Sequence, residues 1–519
     1  MTQKSPTQLA ELLNEAEAAE MRGDWTIASD RYRHAIALAP LDAHVWYRAG
    51  TSLFEAAKPE ESLQFLEKAS MLAPGTVEFD LKLGDVFFSL RQFGEAIETY
   101  KKVLAEDANN VSATNNIGIS LQEAGELKDA INALNHTLLL APDDPIVMAN
   151  YAAALLKADR SEEALPLLIR ATNLNPNSAK AWSNLAIAYE ASLRLEEALK
   201  AHGEAILLEP DNASLHYNQA MSFLLRGEYD EGFQSFEYRR LIPDRKPREF
   251  DIPEWLGESL SGKRILVHAE QGAGDTIQFA RFLPQLECLG AKITFSVHQS
   301  LYRLGPCFSG NSSIISTRPS EVDFDFQIPL LSLPCRLGLT LNDISVDGPY
   351  ISLPTNGEIR PAKNLRIGIV WAGNPNHAND ANRSIAFPVF QSLFSVPDIE
   401  WVSLQYGERA SDLNKCPFAV EDKTTECRDF ADTALAIQNL DLVISVDTSV
   451  AHLAGAMGTP VWILLPYLPD WRWLLDRRDS PWYRTAKLFR QASPNNWSLV
   501  ISEVQQALRK IKTPLQFRS

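Results

Sequence analysis

Residues His268 to Phe282 read HAEQGAGDTIQFARF, directly after the apolar run Ile265-Leu266-Val267. An apolar run that ends in a glycine-rich turn and opens into an amphipathic stretch is a strand–turn–helix unit. Such a unit starts an α/β layer rather than a helical bundle. The turn Gly272-Ala273-Gly274-Asp275 is neither GxxxxGK(S/T) nor a complete GxGxxG, so neither a P-loop nor a dinucleotide fingerprint is supported. Its glycines permit positive φ and close approach of a ligand. Asp275, in the first helical turn, either projects into a cleft or caps its own helix.

Downstream the same pattern recurs. KITFSV, Lys292 to Val297, follows the first helix; LRIGIVWAG, Leu365 to Gly373, opens a second half; LDLVISVD, Leu440 to Asp447, and PVWILL continue it. The proline-rich, polar stretch Pro349 to Asn364 separates the halves. Ligands of open α/β sheets bind beyond the carboxyl ends of the strands, where the loops of interest lie.

Upstream the chain is periodic. Prolines stand at Pro40, Pro74, Pro142, Pro176 and Pro210, spaced by 34 residues or twice 34, with Ala108 in the skipped slot. A ladder of small residues runs Ala28, Ser62, Ala96, Ala130, Ala164, Ala198, Gly232, and another Ala16, Gly50, Gly84, Gly118, Ala152, Ala186, Ala220. Period and small-residue slots resemble the tetratricopeptide repeat, in about seven units framed from 9–42 to 213–246. Each unit is two amphipathic helices that bury their apolar faces only by stacking on neighbours. The proline stops the second helix. The expected organisation is an all-α repeat domain, 1–246, a connector, 247–262, and two Rossmann-like α/β halves, 263–355 and 364–519.

The net charge of −17 is unequally divided: residues 1–250 hold 24 Lys+Arg against 38 Asp+Glu, the remainder 25 against 28. An acidic front half repels a phosphate backbone, which disfavours nucleic acid as a partner. The five cysteines are scattered and never in CxxC spacing, pointing to a reducing cytoplasm and away from a zinc site. No apolar run approaches the roughly 20 residues of a membrane helix, and the acidic N-terminus lacks a signal-peptide core.

Three loops carry candidate chemistry. In SVDTSVAHLAGAMGTP the strand ends at Asp447, and Thr448 and Ser449 open a helix whose free N–H groups and dipole suit a phosphate. His452 lies one turn in, facing ligand or core. NPNHANDANRS crowds Asn374, His377, Asp380, Arg383 and Ser384 together; two potential metal ligands are too few for a site, whereas Arg383 suits a diphosphate. In PDWRWLLDRRDSPWYRTAKLFRQ, Trp471 is the most plausible ligand contact among aromatics that otherwise close the core. In the repeats, Asn116, Asn150, Asn184 and Asn218 occupy the sixth slot of successive units. Asparagine is a mediocre helix former, so the ladder either binds an extended peptide backbone or merely solvates the groove or bridges adjacent helices.

EQGAGDTIQFARF, VWAGNPNHANDANRS, LDLVISVDTSVAHLAGAMGTPVW and PDWRWLLDRRDSPWY, behind such repeats, resemble bacterial repeat-fused glycosyltransferases. The α/β part is similar to the ADP-heptose heptosyltransferases. The architecture resembles repeat-fused flagellin glycosyltransferases and protein O-GlcNAc transferases, in which a similar asparagine ladder holds the acceptor protein. The resemblance implies a GT-B fold and inverting, metal-independent transfer from a nucleotide sugar, with no further cofactor, to Ser/Thr of a protein acceptor such as flagellin. It implies Asp275 as general base, Asp447 against the donor sugar, and Thr448 and Ser449 under the donor phosphates. Gly272, Gly274, Asn374, His377, Arg383, His452 and Trp471 complete the expected donor site. ADP-, UDP-, GDP- and CMP-linked sugars all present phosphate to such a cradle. A repeat scaffold with an inactive nucleotide-binding part, and a transferase acting on lipid or polysaccharide, are the alternatives.

Overall fold

The computed structural model describes residues 6–345, 348–354, 364–377 and 379–511. Residues 355–363, which hold most of the expected break between the halves, and Ala378 in the polar loop lie outside the described residues. So do the termini of the expected first and last domains, 1–5 and 512–519. The chain forms two compact units, Met1–Glu209 and Pro210–Ser519.

The described residues of the first unit form six helix pairs, from Pro6–Met21 to Leu195–Leu208. The sequence ladders have direct steric causes. A Cβ on Gly84 would lie 2.3 Å from the Tyr100 ring, and on Gly50 or Gly118 within 2.7 Å and 2.5 Å of Leu66 and Leu134. The facing ladder Ala28, Ser62, Ala96, Ala130, Ala164 and Ala198 is fully buried. Second helices end at Leu38, Leu72, Leu140, Leu174 and Leu208, two residues before each proline. Asp42, Asn110, Asp144 and Ser178 then cap the following helices through their side chains, each cap contributing about 1 kcal/mol.

In the second unit, a seventh pair, Ala213–Arg226 and Tyr229–Phe236, packs with the α/β part. The repeat frame runs to 246, but as a packing unit the array ends at 209. The cause is an aromatic cluster: Tyr229 and Phe233 meet Trp471 edge-on, and the Trp482 indole N–H donates to the Tyr229 hydroxyl at 3.2 Å. The connector is ordered as well. Trp255 and Leu260 are buried, and Trp255 N–H donates to the Gln327 carbonyl at 2.9 Å.

Ten strands follow among the described residues: β1 (Arg264–His268), β2 (Lys292–Ser296), β3 (Ser313–Ile315), β4 (Phe326–Pro329), β5 (Leu365–Val370), β6 (Ile399–Ser403), β7 (Val420–Asp422), β8 (Leu442–Val446), β9 (Val461–Leu465) and β10 (Ala486–Arg490). They form two sheets, β3-β2-β1-β4 and β10-β9-β8-β5-β6-β7, with every pairing parallel. The second sheet has the doubly wound order, and the first has its opening four strands. The strand order reverses between β1 and β4 and between β5 and β8, so each half presents a crevice there. Among the described residues no helix is long and apolar enough to cross a membrane, and no group of three or more His, Cys, Asp or Glu is arranged to hold a metal.

Candidate functional site

A cavity of about 510 Å³ lies where the carboxyl ends of β5 and β8 meet the turn after β1. The turn contributes Gly272, Gly274 and Asp275; the loop after β5 contributes Asn374, His377 and Arg383. Asp447, Thr448, Ser449 and His452 come from the end of β8 and the helix Ser449–Ala456. Residues nearly two hundred positions apart thus share one space.

The turn is built differently from expectation. Gly272 has φ −84°, and the left-handed residue is Gln271, at φ 56°. A non-glycine residue held there marks a backbone over-determined by its surroundings. Glycine at 274 serves a different end: a Cβ would sit tightly against His452 Cδ2 at 3.1 Å and Ser449 Cα at 3.4 Å. Gly274 therefore lets the helix Ala273–Phe279 of one half approach the helix Ser449–Ala456 of the other. Asp275 does both things allowed by sequence. Its Oδ2 accepts the Gly272 N–H at 2.9 Å from the third helical position, and its Oδ1 faces inward to the Arg472 guanidinium at 2.5 Å.

In the second half, Asp447 is mostly buried, and burial pushes its carboxyl up to about 6; Asp470 adds to the rise, while Trp473, Arg472 and Arg383 oppose it. His452 is held well below its ordinary range, chiefly by burial and then by Arg472. Burial thus disfavours its charged form; Nδ1 lies 2.8 Å from the Tyr483 hydroxyl, and the ring stacks on Trp473 at 5.4 Å. His452 thus borders the cavity from an aromatic wall, and its 3.7 Å approach to Asp447 is not an ion pair. The first-turn N–H groups of the helix Ser449–Ala456 have no partner within the helix.

The polar loop is ordered by its own side chains. Asn374 Oδ1 accepts the Asn376 N–H at 3.0 Å, and His377 Nδ1 accepts that of Asn379 at 3.1 Å. Burial, then Arg383, lowers the His377 pKa. Arg383 approaches Asp380 at 3.5 Å, and the pair lies against Gly373, where any Cβ would sit 2.6 Å from both.

Trp471 was expected at the ligand and is not there. It is 5% exposed and packs edge-on with Tyr229, Phe233 and Trp482, so its neighbour Arg472 is the residue that reaches the cavity. Gln405 was also missed: its Oε1 accepts the N–H groups of Trp371 and Ala372 at 3.0 and 2.8 Å, fixing the chain beyond β5. Asp470 and Tyr406 line the cavity too. For these residues sequence carries little signal, because an arginine between tryptophans and a glutamine after a strand have no distinctive spacing.

The asparagine ladder is partly used up internally. Tyr100 and Asn116 donate to Asp85 Oδ1 at 2.8 and 3.2 Å, Asn115 donates to Asn116 at 3.2 Å, Asn150 to Asn115 at 3.0 Å, and Lys180 to Asn150 at 3.0 Å. Burial raises the Asp85 carboxyl and lowers the Lys180 ammonium. Asn116 and Asn150 therefore bridge adjacent helices. Asn184 keeps a buried amide Nδ2 without a hydrogen-bond partner. Asn218 sits on the helix Ala213–Arg226, in the second unit.

Two tetratricopeptide repeat families match the chain, one over residues 87–155 and 121–186, the other over 13–77 and 185–244. Protein FlbA of Caulobacter vibrioides is 24% identical over 533 residues, covering 95% of this chain and 83% of that protein. Among solved structures, the repeat protein TTC0263 of Thermus thermophilus is 20% identical and covers 35% of this chain and 100% of its own, with a TM-score of 0.32. The pilF protein of Pseudomonas aeruginosa is also 20% identical, with coverages of 39% and 92% and a TM-score of 0.34. Tetratricopeptide repeats ordinarily serve protein–protein interaction, and a protein partner is the common expectation for this chain.

Proposed function

We propose that the chain is a glycosyltransferase of GT-B type that moves a sugar from a nucleotide-sugar donor to a Ser or Thr hydroxyl of a protein acceptor, of which flagellin is one candidate. One observation supports it above the rest: Asp275 of the first half and the Asp447–Ser449 segment of the second line a single cavity at the strand-order reversals. The donor phosphates rest on the N-terminus of the helix Ser449–Ala456 and on Arg383. Asp447 meets the donor sugar.

In the reaction, the bond between the anomeric carbon and the phosphate oxygen breaks, and its electron pair leaves with the nucleotide. The acceptor oxygen forms the new bond to carbon, and its proton passes to the Asp275 carboxylate. General-base help of this kind is worth about 10²–10⁴-fold. Helix N–H groups and Arg383 stabilise the charge growing on the leaving phosphate. The acceptor peptide lies along the repeats of the first unit, where Asn116 and Asn150 exchange their internal hydrogen bonds for peptide ones.

A binding-only role is favoured by one feature, the engagement of both Asp275 oxygens within the protein. Thermal unfolding against ADP, UDP, GDP and CMP tests the nucleotide site common to both readings. A nucleotide at 100 times its dissociation constant stabilises the unit that holds the site by about 2.7 kcal/mol, and Arg383→Ala loses that response. Absence of a shift with every nucleotide would remove the donor site from the account.

A further inference from the structure

Among the described residues lining the cavity, Arg383 and Arg472 are the two with fixed positive charge. The histidines do not add to them, since burial keeps both His377 and His452 toward the neutral form. A diphosphate entering the cavity therefore has two guanidiniums to bind, facing Asp275, Asp447 and Asp470.

Arg472 is already engaged through Nε, Nη1 and Nη2. Its side chain is 10% exposed, its Nε donates to Gln278 Oε1 at 2.5 Å, and its Nη1 donates to both oxygens of Asp470 at 2.9 and 3.1 Å. Its Nη2 holds Asp275 Oδ1 at 2.5 Å, and its guanidinium carbon lies 4.5 Å above the Trp471 ring. Stacking and three partners fix the plane of the group. Gln278 lies outside the cavity lining and positions the group; Asp275 and Asp470 both line the cavity, and Asp275 is the one held by a single bond, from Nη2. One Asp275 oxygen is held by Arg472 and the other by the Gly272 N–H. A guanidinium of the cavity wall thus holds the carboxylate that the reaction needs free.

We propose that Arg472 is a donor-diphosphate clamp and that Asp275 is its internal placeholder: the donor phosphates take the guanidinium, and the released carboxylate turns to the acceptor. The inference rests on the nucleotide-sugar reading above. The Asp275 contact is a single Nη2–Oδ1 bond, so a phosphate oxygen replaces it without moving the guanidinium plane. The exchange makes binding ordered, donor before acceptor.

A consequence separates this device from an ordinary structural ion pair. Removing the Asp275 charge frees Arg472, so Asp275→Asn binds nucleoside diphosphate more tightly than the wild type. Asparagine preserves shape and still accepts the Gly272 N–H. Calorimetric titration with ADP, UDP, GDP and inorganic pyrophosphate measures this directly. Asp275→Asn is expected to gain about three- to tenfold in affinity for whichever diphosphate binds best, and Arg472→Gln to lose at least about tenfold. Arg472→Lys, which keeps charge but not the fork, recovers part of that loss. Unchanged or weaker binding by a folded Asp275→Asn overturns the placeholder, and undiminished binding by Arg472→Gln overturns the clamp. If Arg472→Gln does not fold, the Asp275→Asn titration decides alone. Failure of the wild type to bind any of the four probes overturns the diphosphate clamp, and failure to bind CMP as well fails the nucleotide-sugar reading itself, before any variant is compared.

Discussion

Two glycines make room for different neighbours. Gly84 yields space to Tyr100 of its own repeat, whereas Gly274 yields space to Ser449 and His452 from the other half of the α/β unit. The helical array is a sum of such local fits, each repeated with the period. The α/β unit depends on single meetings of distant segments: Asp275 with Arg472, Arg281 with the Trp482 carbonyl at 2.6 Å, and Arg239 with Glu270 at 2.6 Å. Damage in the array should therefore stay local and moderate. Damage in the α/β unit should reach both stability and site.

The largest effect is expected at Arg239, which is 0% exposed and holds Glu270, directly before the strained Gln271, as well as Glu237 and Ser332. Arg239→Met leaves a buried carboxylate unpaired and should cost about 3–5 kcal/mol in urea unfolding. Adding Glu270→Gln should return part of it. A smaller loss, about 1–3 kcal/mol, is expected for Gly84→Val, whose new Cβ collides with the Tyr100 ring; nucleotide binding should be unaffected. Gly94, also helical but with nothing within 4 Å of its Cβ position, gives the smallest effect and the opposite sign. Gly94→Ala should stabilise by about 0.4–1 kcal/mol, since alanine has less freedom to lose on folding. Equal losses at Arg239 and Gly84 would erase the contrast between the two regions.

The same contrast decides what was legible in sequence. Ladders at 34-residue spacing display the array openly, because every repeat solves the same packing problem. Among strands, β5, β8 and β9 are buried along their whole length and read as continuous apolar runs. The edge strands β3 and β7 have only three residues each and are partly exposed, so no pattern sets them apart. The loops that line the cavity were readable from glycines and polar crowding. The long-range partners were not: Arg472 and Trp471 are neighbours in sequence, and which of them faces the cavity depends on Tyr229 and Phe233 claiming the tryptophan. The asparagine ladder shows the limit again. Register revealed the four amides, but Asp85, Asn115 and Lys180, which engage two of them, follow no period.

The most direct test of the account is transfer itself. Wild type and Asp275→Asn are incubated with a protein acceptor and the nucleotide sugar whose nucleotide binds, and the acceptor is followed by intact mass. The account predicts a sugar-sized mass increase with the wild type and a loss of about 10²–10⁴-fold in rate with a folded Asp275→Asn. Equal rates would contradict the role of Asp275, and no transfer by a wild type that binds nucleotide would leave a repeat scaffold with a silent nucleotide site.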